Sequence, residues 1–335
     1  MYKVFIDGQE GTTGLKIFNR LSTRNDIQLL NIEVKDRKNI DVRLEFIREA
    51  DVTFFCLPDK AAREIASKAP ENAKIIDAST AHRTDDAWIY GFPEISENQR
   101  DLIRQSNRVS VPGCHASGFI SIVKPLIENS IITKDTFLAC TSITGYSGGG
   151  KPMINEYETY NMGFAANHKD DKSDTYNSNG SDGPKSPGLY ALNQNHKHMP
   201  EMKKISGLSK SPAFIPVISN YYSGMLVTIP IDVKMMSKEY QMEEVERLFK
   251  EFYLDEILVK VTTLNPEEKN GMLYANKMAG RDDMEILVYG DKETVVISSR
   301  YDNLGKGASG AAIQCMNIML GIEETTSLVK GNNYE

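Results

Sequence analysis

The chain has 335 residues, 40% hydrophobic and 25% charged, and its 39 basic and 46 acidic side chains leave a net charge of −7. That length accommodates two domains with cores of their own, and the acidic balance argues against nucleic acid or an anionic membrane surface as the main partner. No apolar run approaches the roughly 20 residues of a membrane span, and cysteines at 56, 114, 140 and 315, with no CxxC pair, fit reduced thiols in a cytoplasmic protein rather than disulfides or a metal centre.

In chain order, Lys3 to Asp7 is a short apolar run that predicts a first strand, too early for a secretory leader at this end. Gly8-Gln9-Glu10-Gly11-Thr12-Thr13-Gly14 follows, and Leu15, Ile17, Phe18 and Leu21 continue with helical spacing. Strand, glycine turn and helix are the parts of a dinucleotide site: glycines permit the tight turn and let the backbone approach a diphosphate, which rests on the helix start. The G-x-x-G-x-x-G spacing departs from the usual fingerprint at its first interval. Gly8, Gly11, Thr12, Thr13 and Gly14 are therefore candidate nucleotide contacts.

Ile27 to Val34 reads as a second strand. Glu33 and Asp36 at its end suit a free ribose 2′-hydroxyl, whereas Lys35, Arg37 and Lys38 suit a 2′-phosphate. The basic cluster, Arg37 and Lys38 above all, favours NADP; a solvated turn is the alternative. Ala50 to Pro58 predicts a third strand, apolar as in a strand covered on both faces. Lys60 to Lys68 predicts a helix and Lys74 to Asp77 a further strand, which delivers the polar cluster Ala78-Ser79-Thr80-Ala81-His82-Arg83 to the end of the sheet where ligands bind. Ser79 is a candidate cofactor contact there. Arg108 to Val111 is the strand before Pro112-Gly113-Cys114, after which an apolar helical pattern runs from Phe119 to Ile127. A cysteine opening a helix meets unpaired N–H groups and the positive end of the helix dipole, and both favour the nucleophilic thiolate. Cys114 is thus a candidate nucleophile, and Cys56, Cys140 and Cys315 read as core residues. The alternation of strand and helix through residue 127 predicts a Rossmann-type doubly wound parallel sheet.

The second half predicts an α+β domain with a mixed sheet. Thr136 to Thr144 is a strand, and Gly145-Tyr146-Ser147-Gly148-Gly149-Gly150-Lys151 reads as a flexible basic loop. Its Ser147, Gly148, Gly149 and Lys151 are candidates to wrap a phosphate, with a plain hairpin loop as the alternative. Residues 169–188 are polar and read as a long surface loop. Asn195-His196-Lys197-His198-Met199-Pro200-Glu201 carries two histidines, the side chain best suited to proton transfer near neutral pH. Residues 214–217, 224–230 and 293–299 predict strands and Met242 to Tyr253 a helix, and a buried helix closes the chain after Asn303.

The glycine turn, Pro112-Gly113-Cys114, the Gly145–Lys151 segment, His196 to Glu201 and Asn303-Leu304-Gly305-Lys306-Gly307-Ala308-Ser309-Gly310 together resemble the N-acetyl-γ-glutamyl-phosphate reductase family, in its shorter second type. The resemblance spans nearly the whole chain. It implies reduction of N-acetyl-γ-glutamyl phosphate by NADPH, giving the semialdehyde and phosphate in arginine biosynthesis, through a thioester on Cys114. His196 is the first choice for the acid–base and His198 the second; Asn303 joins the cofactor contacts; no metal is implied. It further implies that residues 1–115 and 302–335 form the dinucleotide-binding domain and 116–301 the catalytic and dimerisation domain of a homo-oligomer, dimer or tetramer, acting on a small acyl phosphate. The competing readings are a sister enzyme such as aspartate-semialdehyde dehydrogenase, and a non-catalytic NAD(P)-binding sensor.

Overall fold

The computed structural model describes residues 1–167, 186–264 and 271–331, with the backbone alone for 163–167. The loop expected over 169–188 falls outside the described residues up to 185.

Six strands, β1 (Tyr2–Asp7), β2 (Ile27–Leu30), β3 (Val52–Phe55), β4 (Ile75–Asp77), β5 (Ile89–Tyr90) and β6 (Arg108–Ser110), form one sheet in the order β2-β1-β3-β4-β6-β5. Every pairing is parallel. The strands alternate with α1 (Thr12–Leu21), α2 (Ile40–Glu49), α3 (Asp59–Ala66) and α4 (Gln99–Gln105). All four residues of β3 are buried, as a strand covered on both faces requires. The strand order reverses between β1 and β3, so the crevice beyond Asp7 and Phe55 is the place where such a sheet takes a ligand. The second strand ends at Leu30, short of the expected Val34, because it is an edge strand paired only with Tyr2 to Phe5 of β1. Val34 to Asp36 form a 3₁₀ turn instead.

The other sheet holds β7 (Ala139–Gly145), β8 (Gly188–Leu189), β9 (Ala213–Ser219), β10 (Met225–Asp232), β11 (Val259–Val261), β12 (Met284–Gly290) and β13 (Thr294–Tyr301), ordered β11-β12-β13-β10-β7-β9-β8. It is mixed: β7 runs parallel to β9 and antiparallel to β10. Against it lies α5 (Cys114–Glu128). A Cβ at Gly118 would stand 2.6 Å from Val227 and from the Tyr301 hydroxyl, so this glycine lets helix and sheet approach closely. Cys140 sits in the core beneath it.

One expected loop is a helix. Tyr146–Gly149 is a 3₁₀ turn, and α6 (Gly150–Asn167) starts at Gly150, whose φ of +73° lets the chain change direction. Pro152 then occupies the first turn, where its missing N–H costs nothing, and Tyr157 stacks on Tyr146 with ring centroids 4.9 Å apart. The glycines suggested a loop; the helix signal lay in the residues that follow them. After α7 (Met199–Ser206) and α8 (Met242–Phe252), the chain returns through a π-turn at Gly305–Ser309 to α9 (Gly310–Leu320). This helix packs into the core of the first sheet, with Ile313, Cys315 and Met316 among Val4, Phe54 and Ile76. None of the described helices is long and apolar enough to cross a membrane.

Candidate active site

The glycine turn closes the crevice at the strand reversal. Gly8 has φ +89°, and a Cβ there would run into the Cys56 carbonyl. Gly14 lies as tightly against Gly8, whose carbonyl oxygen would be 2.6 Å from its Cβ. At Gly11 the contrast is sharp: a Cβ would meet only the Gly8 and Cys56 oxygens, at 3.5 and 3.8 Å. The room beside it belongs to a cavity of about 280 Å³ lined by Gly11, Thr12, Thr13, Gly14, Ser79 and Thr80. Gly11 is also the N-cap of α1, with no side-chain cap, so the first N–H groups of the helix are free for an anion. These features fit a dinucleotide diphosphate. Ser79 donates to Asp77 Oδ2 at 2.8 Å, which fixes its hydroxyl at the cavity wall. Arg37 is held at the turn by Glu10, 2.9 Å away, and Lys38 is exposed; neither lines this cavity.

A second cavity, of about 360 Å³, shares Thr12, Thr13, Ala78, Arg83 and Lys197 with the first and is walled by Cys114, His115, Tyr190, His196 and His198. Cys114 is the first residue of α5 and Gly113 its N-cap. The turn is clamped from both halves of the molecule. Arg83 donates through Nε to the Val111 carbonyl at 2.8 Å and through Nη1 to Glu201 Oε1 at 2.9 Å. Glu201 Oε2 accepts from the Gly113 N–H at 3.1 Å and the Tyr90 hydroxyl at 2.8 Å. A Cβ at Gly113 would strike Glu201, Arg83 and, at 2.6 Å, His198. Tyr301 donates to the Cys114 carbonyl and accepts from the Gly118 N–H at 3.0 Å.

The thiol differs from the expectation of a lowered pKa. Burial pushes it up, while the charges of Arg83 and Lys197 and the His115 N–H pull it down. The helix start and the two cations oppose desolvation without overcoming it, so forming the thiolate calls for a base to take its proton.

Two imidazoles crowd that sulfur, and a third, His196, packs against both. Ring nitrogens of His115 and His198 and the Cys114 sulfur all lie within 4.8 Å of one another. His115 is committed, with Nδ1 on Ser142 Oγ at 2.7 Å and Nε2 on the Tyr190 hydroxyl at 2.6 Å. His198 is buried, and its Nδ1 has no hydrogen-bond partner among the described residues. His196 Nδ1 accepts the His198 N–H at 3.2 Å, which leaves the neutral ring's proton on Nε2. Burial lowers all three: His115 to about 3, His196 to about 4 with help from Lys197 and Arg83, and His198 well below the ordinary value. At neutral pH they are neutral bases.

The far wall comes from the glycine segment and the C-terminal return. Ser147, Gly148, Gly149 and Asn303 line the cavity, and Asn303 Nδ2 donates to Ser147 Oγ at 3.0 Å. A Cβ at Gly307 would lie 3.0 Å from that of Cys114, so the π-turn passes directly over the nucleophile. Lys306, the next residue back, points away and donates to Glu94 and Gln314 at 2.6 and 2.7 Å, buried. Lys151 is exposed in the first turn of α6 and lines neither cavity. Arg83, His115, Tyr190, Lys197 and Glu201 were not singled out from the sequence. Arg83 lay in a flagged polar cluster and Glu201 in the histidine segment, but their pairing joins positions 118 apart.

Residues 3–103 match the family described as semialdehyde dehydrogenase, NAD binding domain, and residues 171–303 the one described as semialdehyde dehydrogenase, dimerisation domain. The chain is 40% identical over 332 residues to the N-acetyl-gamma-glutamyl-phosphate reductase 2 of Nostoc sp., covering 97% of this chain and 99% of that one. It is 36% identical over 325 residues to the N-acetyl-gamma-glutamyl-phosphate reductase of Brucella ovis, covering 95% and 99%. Among solved structures, the aspartate semialdehyde dehydrogenase of Francisella tularensis superposes with a TM-score of 0.71 at 15% identity, over 96% of this chain and 100% of that one. The enzyme of Candida albicans, solved with NADP, gives 0.61 at 14%, over 96% and 98%. At such identity these two likenesses speak for the fold alone.

Proposed function

The chain belongs to the N-acetyl-γ-glutamyl-phosphate reductases of the semialdehyde dehydrogenase superfamily, and from that premise we propose how its own residues carry out the reduction of N-acetyl-γ-glutamyl phosphate to N-acetylglutamate 5-semialdehyde and phosphate, a step of arginine biosynthesis. The observation that carries the reading is one continuous crevice: a cysteine at a helix start, faced by a buried imidazole, opening through shared residues onto a glycine turn fit for a dinucleotide.

Cys114 is the nucleophile. His198 takes the thiol proton, being the unpartnered buried imidazole closest packed on the cysteine turn. The sulfur attacks the acyl carbon, the C–S bond forms as the C–O bond to phosphorus breaks, and the proton leaves with the phosphate. A thioester remains on Cys114. The carbonyl oxygen is held by free N–H groups at the start of α5. NADPH, when bound, supplies the hydride. His198 then protonates the thiohemiacetal oxygen with a proton from solvent, and on collapse carries that proton back to sulfur. His196 packs edge-on against His198, centroids 4.7 Å apart, and orients it. Gly11, Thr12, Thr13 and Gly14 hold the diphosphate, and Arg37 and Lys38 meet the 2′-phosphate. In this scheme residues 1–115 and 302–335 hold the nucleotide, and 116–301 hold the acyl group and the contacts of a cytoplasmic homo-oligomer.

The cavity also argues for a blocked amine. Among the described residues that line it there is no Asp or Glu, so an α-ammonium group would enter without a counter-ion. The test runs the reaction backwards. With phosphate and NADP, N-acetylglutamate semialdehyde supports nicotinamide reduction and aspartate semialdehyde does not; the opposite preference overturns the substrate assignment.

A further inference from the structure

We propose that Lys197 is the residue that binds the reacting phosphate group of the substrate. The inference rests on the acyl-phosphate reading above and adds a specificity residue to it. Among the described residues, Arg83, Lys306 and Lys197 are cations near the crevice, and the first two are spent. Arg83 directs Nε to the Val111 carbonyl, Nη1 to Glu201 and Nη2 to the Ala78 carbonyl at 3.1 Å. Lys306 is buried between Glu94 and Gln314. Lys197 is exposed, and its ammonium has no partner among the described residues.

Its position is specific. It stands between the two histidines and lines both cavities, at the seam formed with Thr12, Thr13, Ala78 and Arg83. Its charge reaches the reacting groups, because it lowers His115, His196 and His198 and pulls the Cys114 thiol down. A phosphate dianion leaving the acyl carbon beside Cys114 needs a cation once water is displaced. A lysine suits it as a mobile point charge on a flexible stem. The seam could serve either of two phosphate sources, the substrate or the nucleotide diphosphate. The diphosphate already has the open start of α1, which leaves Lys197 for the substrate.

The experiment measures Lys197→Met and Lys197→Arg in two arms. In the reverse reaction, with inorganic phosphate varied at constant ionic strength, Lys197→Met raises the phosphate KM on the order of tenfold. Lys197→Arg raises it less, and NADP affinity by calorimetry stays unchanged in both. An unchanged phosphate KM, or a loss confined to NADP, overturns the proposal. The second arm needs no turnover: inorganic phosphate slows alkylation of Cys114 by iodoacetamide in the native protein and not in Lys197→Met. Equal protection in both, or none in the native protein, also overturns it. If neither semialdehyde supports NADP reduction by the native enzyme, the activity reading fails while this arm still decides the role of Lys197.

Discussion

Two helix starts face the same crevice, and both use one device. The helices α1 and α5 each follow a parallel strand, each has a glycine N-cap without a side-chain cap, and neither has an acidic residue in its first turn. Their surroundings differ. At Gly11 a methyl group would make only ordinary contacts, 3.5 Å or more from its neighbours, whereas at Gly113 it would strike Glu201, Arg83 and His198. An open helix start can accept a ligand's phosphates on bare N–H groups. A clamped one fixes a side chain, because the Gly113 N–H already belongs to Glu201. The same backbone feature thus becomes a binding site or a nucleophile mount according to what is packed against its cap.

Substitutions sharpen that contrast, and the largest effect falls on the mounted side chain. Cys114→Ser should lower turnover by roughly 10⁴-fold or more, since a unit of covalent catalysis is lost, while calorimetry shows NADP binding intact. Gly113→Ala should cost on the order of 10²-fold in kcat, the expected effect of a displacement of about 1 Å at the nucleophile; steady-state kinetics at saturating substrate reads it. Glu201→Gln leaves Arg83 without its buried counter-charge and should destabilise the protein by about 3 kcal/mol in urea unfolding. It should also shift the pH profile of Cys114 alkylation downward, because Glu201 is one of the groups that raise the thiol.

The pH dependence follows from the same packing. His115 is held neutral, its pKa lowered to about 3 chiefly by burial. In the unfolded chain it protonates near its ordinary value of about 6.5. Between those values the unfolded state binds the extra proton, so the stability this neutral ring allows is complete above about pH 6.5 and declines as pH falls towards 3. The slope is about 1.4 kcal/mol per pH unit for that one ring. Urea melts of the native protein against His115→Asn should show the native curve the steeper by that amount. The smallest effect belongs to the open start: Gly11→Ala should raise the NADP KM several-fold, worth on the order of 1 kcal/mol, and leave kcat unchanged.

The two starts were not equally legible. Both appear in the sequence as strand, glycine and helical pattern, because those signals are local. The clamp at Gly113 does not, since Arg83 and Glu201 are 118 positions apart and each by itself reads as an ordinary surface charge. His115 was hidden for a related reason: it is merely the residue after the cysteine until Ser142 and Tyr190 close on its two nitrogens. Lys151 is the opposite case. Glycines and a lysine suggest a phosphate loop, but the helix that begins at Gly150 leaves that side chain exposed. Among the described residues, the free cation at the crevice is Lys197, which the two histidines beside it had overshadowed.

The central claim, that Cys114 carries the acyl group, is tested most directly by mass. Native protein mixed with N-acetyl-γ-glutamyl phosphate and no nucleotide should gain one N-acetylglutamyl group, located on the Cys114 peptide, and lose it when NADPH is added. Absence of any adduct in an enzyme that turns over normally once NADPH is present, or an adduct on another residue, would contradict the account.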